Sequence, residues 1–379
     1  MDTLNSVLFI TMELMGILEP GCAPKELMWY AFEPGGTAPS PRVGQTCMYL
    51  PADEDSGKGK IVIVGGANPG CCFSDAHVLN LDTYKWYGLN WDGLSPRYEH
   101  ASFISTGNPG SMWVFGGATQ AENQNSVQVI NLGSRMWKSP RVEGCIPSPR
   151  TFHTTSASIG DKLFVFGGGY KGADPVADKN LYIFDAANLT WTMPNTSGVP
   201  PKPRHGHIMV AVGSKLFVHA GMAGKTFYED LFCIDTDTMK WKELKVKGDV
   251  PPACAAHSAL SWEKRIYIFG GMTETGAVST MHRYDTGNYT WTRVQFDSPS
   301  PAARLDHSMC LFPWKIRMDL SKPDCEPANV TEKIEDDFYT PNKDYKSEKC
   351  GYVTLCLIFG GMDTNGELYS DCSVTALTK

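Results

Sequence analysis

Six four-residue groups recur along the chain at nearly even intervals, and their side chains are ones that could do chemistry. They are Arg42-Val-Gly-Gln45, Arg97-Tyr-Glu-His100, Arg150-Thr-Phe-His153, Arg204-His-Gly-His207, Cys254-Ala-Ala-His257 and Arg304-Leu-Asp-His307. Five arginines and five histidines thus recur in register. A guanidinium suits recognition of carboxylates and is enriched at protein interfaces. Converging imidazoles could bind a metal, but this wide, even spread is not the spacing of metal ligands. A third reading is that these groups hydrogen-bond the backbone between neighbouring units. Recurrence in nearly every unit favours that reading, because a functional site usually uses a non-repeating subset. Arg42, Arg97, His100, Arg150, His153, Arg204, His207, His257, Arg304 and His307 are nevertheless the candidates for a partner-binding face. There is no P-loop, G-x-S-x-G or H-E-x-x-H in the chain. Gly-Gly-Gly at 167–169 lacks the following helix that a phosphate-binding loop needs.

The elements that must carry these groups follow from a second repeat. Small-residue pairs end apolar runs at Gly65-Gly66, Gly116-Gly117, Gly167-Gly168, Ala220-Gly221, Gly270-Gly271 and Gly360-Gly361. Trp86, Trp137, Trp191, Trp241 and Trp291 follow the second residue of their pairs by 20 positions, or 23 in the third unit. The first five pairs step by 51, 51, 53 and 50 residues, a period that marks a repeat architecture. In the third unit the spacing predicts a short strand over 154–159, a Gly160-Asp161 turn, and an apolar strand LFVF at 163–166. LYIFD at 181–185 and a strand beginning at Thr190 complete the unit. Four antiparallel strands per unit, joined by tight turns, make a propeller blade. The glycine pair allows a sharp exit with positive φ. The Trp is placed to cover the contact between blades.

Glycine pairs, "LYIFD", "HRYD" and the spaced Trp together resemble the kelch repeat, from Trp29 to Lys379. The resemblance implies an all-β, six-bladed kelch β-propeller. The sixth unit ends without its Trp, whereas Trp29 stands alone 13 residues before Arg42, the interval found in units three, four and six. The strand around Trp29 should therefore complete the last blade and close the ring, removing an open edge. Residues 1–27 are expected to be a flexible extension, and 28–379 a single propeller. In the last unit the distance from His307 to Gly361 is 54 residues, against 14 to 17 elsewhere. A polar, disordered insertion at about 313–350 without apolar alternation is the expectation there.

Bulk properties narrow the function. A net charge of −7 and the absence of a basic stripe argue against nucleic-acid binding. Twelve cysteines without C-x-x-C, several inside predicted strands, point to a reducing compartment. The four glycosylation-type sequons then read as incidental. The apolar run at 7–18 carries Glu13 and no preceding Lys or Arg, and is too short to span a bilayer. A cytoplasmic location without membrane insertion is expected. Stretches such as "RYEHASF" at 97–103, "PSPRTFHT" at 147–154, "YEDLFCID" at 228–235 and "FGGMDTNGELYSDC" at 359–372 are more specific. They resemble a group of kelch proteins that act as effectors of endosomal Rab GTPases. That resemblance implies a non-enzymatic partner of a GTP-bound late-endosomal Rab GTPase, acting in late endosome to trans-Golgi transport without a cofactor. The iron motif of specifier-type kelch enzymes is absent. A kelch scaffold for a kinase, a cytoskeletal protein or another trafficking protein, or a small-molecule enzyme at the channel mouth, are the alternatives.

Overall fold

In a computed structural model of the chain, residues 15–52, 57–89, 93–131, 136–151, 157–317, 331–332 and 350–378 are described. Six small antiparallel sheets are arranged as the blades of a β-propeller. Blade four shows the pattern most regularly: Ile208–Val212, Lys215–His219, Leu231–Asp235 and Lys240–Glu243 pair in that order. Gly213 supplies the positive φ of its first turn. The innermost strands of the other blades are Thr46–Leu50, Ala101–Ile104, Ala157–Ile159, Ser258–Trp262 and Ser308–Arg317.

The apolar core is divided into layers between consecutive blades. Each layer joins a Trp from one outer strand to the residue that precedes the glycine pair of the previous blade. Trp191 packs on Phe115 at 4.6 Å, Trp241 on Phe166 at 5.2 Å and Trp291 on His219 at 5.1 Å. Trp29, fully buried, packs on Phe269 at 5.5 Å. It does so because Trp29–Ala31 pairs antiparallel with Cys372–Ala376, with Trp29 opposite Thr375. The N-terminal strand is thus the fourth strand of blade six, as the 13-residue spacing predicts.

Two expectations about the chain outside the repeats need correction. Residues 15–27 do not behave as a flexible extension. Gly16–Ile17 pairs parallel with Tyr30–Ala31, and the Leu18 amide donates to the Ala31 carbonyl. Met15 and Leu18 are buried on opposite sides of blade six, one in the layer shared with blade five and the other in the layer shared with blade one. Residues 1–14 lie outside the described residues. The insertion also starts later than expected. Ser308–Arg317 and Cys350–Phe359 form a hairpin ten residues deep, in register from Ser308–Phe359 to Arg317–Cys350. Phe312, Trp314 and Ile316 alternate into the core. Pro313 suggests a break in the sequence, but it sits on a strand with a single neighbour, where its missing N–H costs no ladder bond. The polar stretches 318–330 and 333–349 lie outside the described residues.

A further device recurs at the outer edge. Gly35–Gly36, Glu143–Gly144 and Lys247–Gly248 each add a short parallel strand to the Trp-bearing strand of their sheet, and a bridge from Ser197 to Lys240 does the same. Gly36, Gly144, Gly198 and Gly248 hold positive φ, and a Cβ at any of them would lie 2.1 to 2.3 Å from a Trp carbonyl oxygen. All four stand six residues before position one of a signature, a regularity the sequence reading missed.

Candidate functional site

The signatures and the loops after the glycine pairs share one face. Six isolated bridges join them: Val43 to Ala67, Tyr98 to Ala118, Thr151 to Gly169, His205 to Met222, Ala255 to Met272 and Leu305 to Met362. The second residue of every glycine pair donates its amide to the next blade, at the carbonyl of signature position one. The acceptors of Gly66, Gly117, Gly168, Gly221 and Gly271 are Arg97, Arg150, Arg204, Cys254 and Arg304, at 2.8 to 3.1 Å. Gly361 closes the circle on Arg42 at 2.9 Å. A Cβ at Gly65, Gly167, Gly270 or Gly360 would lie 2.5 to 2.9 Å from the same carbonyl, whereas blade four accommodates Ala220 there.

The arginine side chains turn inward. Arg42, Arg97, Arg150, Arg204 and Arg304 are at most 1% exposed. Each donates to the carbonyl of the first residue of its own blade's small-residue pair, at Gly65, Gly116, Gly167, Ala220 and Gly360 respectively. Four also meet a carboxylate. Arg42 reaches both oxygens of Asp75, Arg204 both of Asp230 and Arg304 both of Asp371, while Arg150 meets Asp178 at 2.9 Å. Phe73, Tyr228 and Tyr369 rings cover Arg42, Arg204 and Arg304 at 4.0, 4.3 and 4.5 Å. Burial alone would raise the Asp75 carboxyl, but hydrogen bonds from His77 and Arg42 hold it well below the usual carboxylate range. Arg97 instead meets Gln128 and Ser126, and burial pulls its guanidinium down to about 10.

The histidines wedge between blades. His100 bonds the Thr46 hydroxyl at 3.0 Å, and the His207 ring lies against Gly167. His257 pairs with His219 at 3.1 Å, where Ala220 replaces the first glycine. His307 stands edge-on to Phe269, and Gln45 donates to the Phe359 carbonyl. His153 lies outside the described residues. The arginines and the four described histidines are therefore not an accessible partner-binding face. The expectation is corrected because a guanidinium in this position has more to gain from capping its own blade than from solvent. Among the described residues no group of three or more His, Cys, Asp or Glu is placed to hold a metal ion.

The second and third signature positions both vary from blade to blade, and the third comes together around the channel mouth. Gly44, Glu99, Gly206, Ala256 and Asp306 all hold positive φ. Their backbones bond in sequence around the mouth: Glu99 to Gly44, Gly44 to Asp306, Asp306 to Ala256 and Ala256 to Gly206. Glu99 accepts from the Thr151 hydroxyl. Burial pushes the Asp306 carboxyl up to about 7, and its Oδ1 lacks a hydrogen-bond partner among the described residues. Along the axis a cavity of about 470 Å³ is lined by all six innermost strands.

A family model described as the KLHDC2/KLHL20/DRC7 Kelch-repeats domain matches residues 22–171, 56–271 and 111–318. The chain belongs to the kelch-repeat family. Within it, this kelch propeller is 64% identical to the Rab9 effector protein with kelch motifs of Xenopus laevis, over 97% of this chain and 100% of that protein. It is 56% identical to the protein of the same name from Homo sapiens and 53% to that from Danio rerio, each over 97% of this chain and 100% of the relative.

The sequence reading missed the carboxylates that hold the kelch arginines. Asp75, Asp230 and Asp371 each stand directly before a third strand, a signal that was present but is broken by Ser126 and by the earlier Asp178. Removing one clamp should be costly. Arg204→Ala leaves Asp230 and the Ala220 carbonyl unpaired and is expected to cost about 2–4 kcal/mol in chemical denaturation. Arg141→Ala, at a side chain 91% exposed, is expected to cost close to nothing. Equal effects of the two would refute the clamp.

Among the described residues, burial lowers five histidines: His205, His219, His257, His282 and His307. A histidine depressed in the folded state contributes fully above the unfolded value near 6.5, and its contribution is lost as pH falls below it. Asp306, raised by burial, works in the opposite direction, but it is one group against five. The melting temperature is therefore expected to fall between pH 7.5 and pH 5. A rise over that interval would mean that the imidazoles are not held neutral.

Proposed function

We propose that this propeller is a non-enzymatic effector that binds a Rab GTPase in its GTP-loaded form and is recruited peripherally to late-endosomal membranes. The observation that carries the reading is the near full-length identity, 64% and 56%, to proteins named Rab9 effectors with kelch motifs. The geometry is in keeping with it. The arginines and the four described histidines, the reactive-looking groups of the repeat, are used by the frame, which leaves loops and blade edges to meet a partner. The γ-phosphate and Mg²⁺ keep the switch segments of a GTPase ordered, so an effector that contacts them distinguishes the two nucleotide states. Such discrimination is a difference between two affinities, and tenfold corresponds to about 1.4 kcal/mol. Transport from late endosomes to the trans-Golgi network is the process in which this effector would act.

The test is binding of the purified chain to immobilised Rab9 loaded with a non-hydrolysable GTP analogue or with GDP. At least tenfold tighter binding to the analogue-loaded form is expected. Equal or absent binding would reduce the protein to a kelch interaction module for another partner, such as a kinase or a cytoskeletal protein.

A further inference from the structure

Cys47 and Cys310 lie on the innermost strands of blades one and six, which are neighbours in the closed ring. Within their own sheets they stand opposite Ile63 and Leu357. Across the seam their sulfurs are 3.2 Å apart, with 263 residues of chain between them. Both are free thiols, 8% and 7% exposed, and both border the axial cavity. A disulfide needs a sulfur separation of about 2.05 Å, so an approach of roughly 1 Å would complete one. The pair belongs to the apolar layer that also holds Ile63, Phe312, Leu357 and Val374.

We propose that Cys47 and Cys310 are an oxidation site at which a peroxide entering the axial cavity closes a disulfide across the seam of the propeller. One sulfur, as thiolate, attacks a peroxide oxygen. The O–O bond breaks, and the departing hydroxide takes the thiol's proton to give water and a sulfenic acid. The second sulfur then attacks the sulfenic sulfur. The S–S bond forms, the S–O bond breaks, and the second hydroxide leaves as water with the remaining thiol proton. Two thiols and one hydrogen peroxide become one disulfide and two waters, with two electrons passing from sulfur to oxygen. The hydrogen bond to Cys310 and burial both push the Cys47 thiol up, so thiolate is scarce at neutral pH and the reaction is slow. Exposed Cys22, Cys71 and Cys145 are oxidised ahead of the pair. Once formed, the bond staples blade one to blade six independently of the three-residue strand Trp29–Ala31. A cross-link over so long a stretch restricts the unfolded chain strongly.

The experiment treats the reduced full chain with excess hydrogen peroxide, caps the remaining thiols, and maps peptides without reduction. The expected product joins the Cys47 and Cys310 peptides, two hydrogens lighter than their sum. It is accompanied by a rise in melting temperature on the order of 5–10 °C, and dithiothreitol reverses both. Cys310→Ala, whose own melting transition reports that it folds, is expected to show no such rise. If that variant does not fold, the peptide map of the unaltered chain decides alone. Recovery of Cys47 and Cys310 as separately capped thiols, as sulfinic acids, or linked to other cysteines once the exposed thiols are oxidised would overturn the proposal. A Cys47–Cys310 link with an unchanged melting temperature would overturn the stapling role.

Discussion

An amide-to-carbonyl hydrogen bond made six times around the axis, from the second residue of each glycine pair to the next blade, is the constraint on which this structure depends. Each bond contributes only about 1 kcal/mol. Its larger effect is geometric, because it fixes how one sheet is set against the next before the apolar layers fill the gap. The other repeated residues follow from it. The acceptor carbonyl comes close to the residue before the donor, so that residue is small: glycine in five blades and Ala220 in blade four. The acceptor residue must be held still, and a buried guanidinium does so by bonding the small-residue pair of its own blade.

Blade five shows that the bond, not the charge, is indispensable. Cys254 stands in place of arginine, and Thr280 stands directly before the third strand, where Asp75, Asp230 and Asp371 stand in other blades. Cation and anion are missing together, as expected where burying one without its partner would be costly. The Gly221 amide still reaches the Cys254 carbonyl at 2.8 Å. The histidine next to this gap is also atypical: His257 leans on His219 rather than over a glycine.

Much of this was legible in the sequence, because the governing contacts are periodic. Trp29 could be assigned to the last blade from one interval, and the kelch frame from the glycine pairs. Periodicity favoured an internal role for the five arginines but did not exclude a surface ring. Only the placement of Asp75, Asp178, Asp230 and Asp371 separates those readings. Met15 and Leu18 carried no local signal, because most residues of their layers lie far along the sequence, in blades one, five and six. Pro313 concealed an alternating strand whose edge position makes proline harmless. The third signature position, with Gly44, Glu99, Gly206, Ala256 and Asp306, drew no reading from the sequence, because only the closed ring brings those residues to one mouth.

Hydrogen exchange at the amides of Gly66, Gly117, Gly168, Gly221, Gly271 and Gly361 in the native protein tests the central claim most directly. If the six bonds form one closed circuit, all six amides exchange only through global unfolding, with the same opening free energy, and Gly361 is as protected as the others. Exchange at Gly361 a hundredfold or more ahead of the remaining five would show that the seam between blades six and one opens alone, and would contradict a ring held by six equivalent bonds.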